Sequence, residues 1–254
     1  MNSFKKPPLV SIVTITFNSE QSISRTLSSV ASQTYRTIEH IIKDGRSTDG
    51  TENIVKKQKS GNTSYVSCSD TGIYDALNQA LMMCKGEYVV FLHSDDVFKD
   101  SMTIEKLVSS LELSGADGIY GDVEFVTEEG RILRRWVSSK FKKWKLYCGW
   151  MPPHTSLMLR RQVYQDIGEF DTGFKIAGDY EFILRLFLSN NYNLIYENNV
   201  VTVMTIGGAS TSGISSQIKK ISEDWRAIRK HGLLNLFTLL TKRVLKLNQW
   251  IMNN

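Results

Sequence analysis

The chain has 254 residues, 41% hydrophobic and 22% charged, with a net charge of +5. Such a composition suits one large globular domain, alone or with an appendage, and excludes a disordered or low-complexity chain. No run approaches the roughly 20 apolar residues of a membrane span, and no signal peptide is expected after the first lysines.

Residues 9–15, LVSIVTI, read as a buried strand, and 19–33 as a helix on the spacing of Ile23, Leu27 and Val30. A second strand is expected over 37–43, and STDGT then supplies capping chemistry for a helix to about Lys59. A short strand at 63–67, a helix at 73–84 and a strand at 87–92 follow. This alternation predicts an α/β protein with a parallel sheet and right-handed crossovers, which binds ligands beyond the carboxyl ends of its strands. Three of those ends carry polar clusters: TFN at 16–18, KDGRSTDG at 43–50 and HSDD at 93–96. The second half is richer in strands, at 118–126, 131–137, 155–160 and 193–205, with a helix over 179–190.

From about Ser215 the tail reads as helical. Leu233, Leu236, Phe237, Leu240, Val244, Leu247 and Ile251 form one stripe, with Lys242, Arg243 and Lys246 elsewhere. Such a basic amphipathic helix either packs on the domain or lies on a membrane surface. Two units are therefore expected: a domain at 1–205, then a flexible loop with amphipathic helices at 206–254. Residues 131–145 hold seven basic side chains and no acid. That stretch is either a solvated face or a surface for lipid headgroups or diphosphates, and no nucleic-acid-binding motif accompanies it. Three scattered cysteines, Cys68, Cys84 and Cys148, form no CxxC pattern, which predicts free thiols and a reducing, cytoplasmic location.

Asp95 and Asp96 are adjacent acids at the tip of a buried strand. Isolated acid pairs are usually loop residues, but here they also suit magnesium or manganese, which prefer oxygen ligands and bridge carboxylates to phosphates. The order of four segments changes the weighting: VSIVTITFNSEQSISRTLSSVASQTY, IEHIIKDGRSTDGT, DTGIYDALNQAL and GEYVVFLHSDDVF. Together they resemble the family 2 inverting glycosyltransferases, of GT-A fold, from about Val10 to Thr205. The likeness extends to bacterial O-antigen, capsule and exopolysaccharide enzymes.

The resemblance implies roles for particular residues. Phe17 would stack on the nucleotide base and Asp44 accept from a base N–H, while Asp70, Asp75 and Asn78 would face the donor. Each of Asp70 and Asp75 also has a local reading, as a cap or an ion pair. Arg46 would approach the donor phosphates. Asp95 would lie near the ribose or the metal, and Asp96 would coordinate a Mn2+ or Mg2+ ion. His93 stands where the family usually has Asn or Asp, as a neutral substitute or a metal ligand. Asp179, in FKIAGDYEFILRL, matches the catalytic base, with Glu181 the alternative. Trp150 and His154, in GWMPPHTSLMLRR, match an acceptor-side segment. The implied reaction is hexosyl or N-acetylhexosaminyl transfer from a UDP-sugar to a saccharide hydroxyl, with inversion to a β-glycoside. The implied acceptor is carried on undecaprenyl diphosphate for lipopolysaccharide or related polysaccharide synthesis, at the inner face of the plasma membrane. Oligomer formation is left open. Two other readings remain: a nucleotide-sugar-binding protein without transfer activity, and a sugar nucleotidyltransferase, although TFNSEQS lacks the latter's Gly-rich loop.

Overall fold

Seven consecutive buried residues, Val10–Thr16, form strand β1, covered on both faces as a central parallel strand must be. Val10 and Ile12 point into one apolar layer, and Val13 and Ile15 into the other. The computed structural model describes residues 6–205, 214–233 and 236–243. After β1 come α1 (Ile23–Ala31), β2 (Ile38–Asp44), α2 (Thr51–Gln58), β3 (Thr63–Ser67), α3 (Ile73–Met83) and β4 (Tyr88–Phe91). Then follow β5 (Asp96–Phe98), α4 (Thr103–Ser114), β6 (Gly118–Val126), β7 (Ile132–Trp136) and α5 (Lys143–Tyr147). The last elements are β8 (Leu157–Arg160), α6 (Arg161–Ile167), α7 (Gly178–Ser189), β9 (Leu194–Thr205) and α8 (Ile214–Lys230).

One nine-stranded sheet runs β3-β2-β1-β4-β8-β6-β9-β5, with β7 paired to β6. The first four strands are parallel, as the alternating pattern predicts. Beyond β4 the sheet is mixed: β8 is antiparallel to both β4 and β6, and β9 is parallel to β6. Every expected strand is present within about two residues of its expected ends. The short β5 and the helices α4, α5 and α6 were not anticipated. Three residues give too little pattern to announce β5, which exists through its antiparallel pairing with β9.

The tail is not a separate unit among the described residues. Helix α8 packs against α7, and Ala227, Ile228 and Leu233 join the larger core. Residues 236–243 are helical, but with the expected stripe reversed. Thr238 is fully buried and Leu239 packs on the core, while Leu236, Phe237 and Leu240 are exposed. Val244, Lys246, Leu247, Ile251 and the loop expected over 206–213 lie outside the described residues.

Candidate active site

The site is assembled by strand register. Thr16 lies level with Asp44, and Val13 with Phe91, so Phe17, Asp44 and the HSDD segment emerge from one edge of the sheet. On the other side of β4, Val90 lies opposite Met158 in antiparallel register. Carried three residues on, that register sets His93 opposite Thr155, and so beside His154. The two imidazoles meet at 2.8 Å, Nε2 to Nε2. His154 Nδ1 then reaches Asp179 Oδ2 at 3.4 Å. An ionised carboxylate only accepts, so His154 Nδ1 carries the proton that faces Asp179. No local pattern announces this chain of three side chains, because His154 lies 61 residues beyond His93.

Asp179 sits in the first turn of α7. Burial opposes its charge, but the His154 hydrogen bond, with the charges of His154, Lys220 and Lys242, holds its carboxyl well below the usual range. Burial likewise pushes His93 down to about 3, with His154 acting in the same direction and Asp179 against it. Tyr74 completes the surroundings: its hydroxyl donates to Ile176 O at 2.8 Å and lies 3.4 Å from Asp179 Oδ1. Its ring rests on Gly178, where a Cβ would come within 2.7 Å of it, so only glycine allows this approach. Glu223 of α8 holds the preceding loop, accepting from the backbone N–H groups of Lys175, Ile176 and Ala177 at 2.7–3.0 Å. Neither Tyr74 nor Glu223 was a candidate from sequence.

Glu181 is not available as a base. It is fully buried, clamped by Arg185, Lys230 and His231. Burial opposes its charge, yet hydrogen bonds from His231, Lys230 and Arg185 bring its carboxyl down to about 2.

Phe17 is 62% exposed, so its ring lies outside the core. Asp44 differs from expectation. It is 1% exposed, and its oxygens accept from Ser47 N–H (3.0 Å), Ser47 Oγ (2.5 Å), Tyr65 OH (3.1 Å) and Ser67 Oγ (2.7 Å). Four donors use the capacity of a carboxylate, so Asp44 shapes the 44–47 turn and has no open oxygen for a base. Arg46 is exposed on that turn with φ 64°. Asp70 pairs with the buried Lys43 ammonium at 2.6 Å, which also donates to Cys68 O. Asp75 accepts from Thr71 N–H at 2.7 Å, which holds its carboxyl low and caps α3. Asn78 is a correction: it is buried, and its amide exchanges two 2.9 Å hydrogen bonds with the Phe170 backbone. The Asp75–Asn78 spacing gave a helix correctly, but Asn78 faces the core. Trp150 is a second correction. It is half-buried, donates to Ser138 O and packs in an aromatic cluster with Tyr120, Phe141 and Phe187, so its ring is engaged by the core.

The two acids of HSDD differ from one another. Asp95 is half-buried and Asp96 is completely enclosed, with both carboxylate oxygens lacking a hydrogen-bond partner. Burial and the charge of Asp95 raise the Asp96 carboxyl well above the usual range. Arg25 of α1 reaches the Asp95 carbonyl at 3.4 Å and is a nearby positive charge that the motif itself does not reveal. An enclosed carboxylate without donors fits a cation-binding role. Among the described residues no three ligating side chains converge, so protein ligands alone would not complete such a site.

A mixed sheet, parallel over its first four strands, with the HSDD tip joined through His154 to a carboxylate in the first turn of a helix, has the arrangement of a GT-A glycosyltransferase. Fold comparison agrees. S. aureus TarS in complex with UDP-GlcNAc superposes with a TM-score of 0.71 at 21% identity, covering 93% of this chain and 70% of TarS. The mannosyltransferase PcManGT from Pyrobaculum calidifontis, in complex with GDP-Man and Mn2+, gives 0.63 at 18% identity, covering 98% and 77%. The sequence profile of glycosyl transferase family 2 matches residues 11–174, and the chain belongs to that family. An uncharacterized glycosyltransferase of Mycobacterium tuberculosis, Rv1514c, is 32% identical over 70% of this chain and 68% of its own length. Escherichia coli WfaP, a UDP-Glc:α-D-GlcNAc-diphosphoundecaprenol β-1,3-glucosyltransferase, is 42% identical over 35% of this chain and 36% of its own. The protein is thus a glycosyltransferase of family 2. No helix among the described residues is long and apolar enough to cross a membrane.

Proposed function

We propose that the enzyme is an inverting transferase that moves a sugar from a UDP-sugar to a hydroxyl of a lipid-diphosphate-linked saccharide, in bacterial surface polysaccharide synthesis. The carrying observation is Asp179, a carboxylate kept ionised by His154 in the first turn of α7. An acceptor hydroxyl is a poor nucleophile until its proton leaves. Asp179 takes that proton as the hydroxyl oxygen attacks C1 of the donor sugar. The bond from C1 to the diphosphate oxygen breaks on the opposite face, and the nucleoside diphosphate departs with the electron pair. In-line displacement inverts C1, so an α-linked donor gives a β-glycoside.

His93 and Tyr74 act around the base. The His93 hydrogen bond fixes the His154 ring so that its Nδ1–H points at Asp179, and the Tyr74 hydroxyl limits the other carboxylate oxygen. Phe17 offers an exposed flat face for uracil, with Arg46 beside it for the donor phosphates. Asp70 and Asp75 set the path of the segment before α3, along the donor side. A divalent cation, when bound, neutralises charge developing on the leaving diphosphate. Asp96, with its unpaired oxygens, and Asp95 would hold it, the donor diphosphate completing the oxygen set. The nucleotide-sugar complexes of TarS and PcManGT, and the lipid-diphosphate acceptor of WfaP, support donor and acceptor classes.

The test is a panel of nucleotide sugars with Mn2+, measuring nucleoside diphosphate release with and without saccharide acceptors. Release is expected with a UDP-sugar, and Asp179→Asn should lower it by about 10²–10⁴-fold with folding intact. Unchanged transfer by Asp179→Asn would remove the base assignment.

A further inference from the structure

Helix 236–243 is packed inside out for a surface helix. Its polar side chains face the protein: Thr238 donates to Tyr147 O at 2.8 Å, and Lys242 pairs with Asp224 at 2.7 Å. The Lys242 ammonium also lies 3.1 Å from the centre of the Tyr180 ring. Of its apolar side chains Leu239 packs on the core, while Leu236, Phe237 and Leu240 face outward, being 60%, 52% and 56% exposed. An outward apolar face with an inward polar one is stable only where something apolar covers it.

The surroundings identify the cover. The helix meets the C-terminal end of α5, at Tyr147 O, and the turn after it, where a Cβ on Gly149 would fall 2.3 Å from Lys242 Cβ. On α5 itself Trp144 is exposed, flanked by exposed Lys142 and Lys143. No acid occurs in residues 131–145 or 231–243. A second copy seated here would bring like charges together, which opposes association. An anionic lipid surface matches both parts, because apolar side chains and tryptophan enter the headgroup layer while lysines meet phosphates.

We propose that helix 236–243 and α5 form a docking surface for anionic membrane lipid, with Leu236, Phe237, Leu240 and Trp144 inserted and Lys142 and Lys143 at the headgroups. The proposal deepens the transferase reading, since a lipid-borne acceptor presents its reacting hydroxyl near such a surface. The inward face of the same helix grips α7 through Tyr180, the residue after Asp179. Docking therefore fixes the height of the base above the headgroups.

The full chain is sedimented with phosphatidylglycerol-containing vesicles and with phosphatidylcholine vesicles. The parent is expected to prefer the anionic vesicles. The double variants F237S/L240S and K142E/K143E should each weaken that binding about tenfold or more. Both should keep nucleoside diphosphate release with a soluble saccharide acceptor, and lose turnover of an acceptor embedded in vesicles. Equal binding to both vesicle types, or variants that bind as the parent does, would overturn the proposal. So would a dimer in solution that F237S/L240S dissolves. Failure of every nucleotide sugar to turn over would instead sink the transferase reading, and vesicle sedimentation would still decide the docking surface.

Discussion

Glu223 gives the sharpest test of how the tail serves the site. One oxygen, Oε2, lies 3.0, 2.7 and 2.9 Å from three successive backbone nitrogens, at Lys175, Ile176 and Ala177. These donors sit at the start of α7, where no earlier helical turn can satisfy them. Replacing Glu223 with Ala takes the acceptor from three backbone N–H groups, that of Ala177 buried and those of Lys175 and Ile176 part-buried. Hydrogen bonds to a charged group contribute about 1.5–3 kcal/mol each, but three donors sharing one oxygen are not additive, so the whole loss is about 3–4 kcal/mol. For a chain of this size that is a fall in Tm of about 6–16 °C. Gln keeps one oxygen in place and loses the charge, so about half of that fall is expected. The effect also reaches chemistry, because Asp179 follows Ala177 by two residues. Thermal melts by circular dichroism, with nucleoside diphosphate release on the same samples, measure both. If the Ala variant melts within about 2 °C of the parent and turns over equally, the clamp neither supports α7 nor positions the base.

Two further outcomes concern pH. With Asp179 held low, its stabilising contribution is present above the ordinary carboxylate pKa and lost only as pH falls through the depressed one. Activity should therefore persist on the acid side beyond the usual carboxylate range. His154→Ala removes the main opposition to burial, so the acid limb of kcat/KM moves to higher pH, and kcat falls about 10–100-fold. An unmoved limb would break the His154–Asp179 link. His40 is a buried residue of β2 whose ring meets Thr14 Oγ1 of β1, and burial lowers it to about 4 from 6.5. Stability it contributes is complete above pH 6.5 and is lost as pH falls towards 4, about 2 kcal/mol by pH 5. His93 adds a second loss of the same sign. Melts at pH 7 and pH 5 should separate for the parent, and His40→Gln should narrow the gap by about half; an equal gap would refute the assignment.

What sequence made legible follows from the range of the forces involved. Strands β1, β2, β3 and β4 carry local periodicity that cannot be satisfied any other way, and their tips deliver Phe17 and HSDD to one edge. Asp179 was found by resemblance, since a carboxylate in the first turn of a helix is locally an ordinary capping residue. Errors arose where a side chain's partner lies far along the chain. Asn78 was assigned to the donor, yet its amide is matched to Phe170, 92 residues away. Trp150 was assigned to a sugar, yet three aromatic side chains pack against it. The tail stripe was periodic in truth, but periodicity does not say which face is inside. Thr238 and Lys242 are inward because their partners, Tyr147 O and Asp224, make specific polar bonds that an apolar face could not replace.

His93 shows the same limit from the functional side. Its departure from the usual Asn or Asp was visible, but its meaning was not. His93 meets His154 at hydrogen-bonding distance, 2.8 Å between their Nε2 atoms. The substitution thus joins the acidic strand tip to the base by way of His154. A reading of His93 as a direct metal ligand has less room, because its Nε2 is already committed to that ring. The unpaired oxygens of Asp96, rather than the histidine, are the part of HSDD that still requires a positive partner.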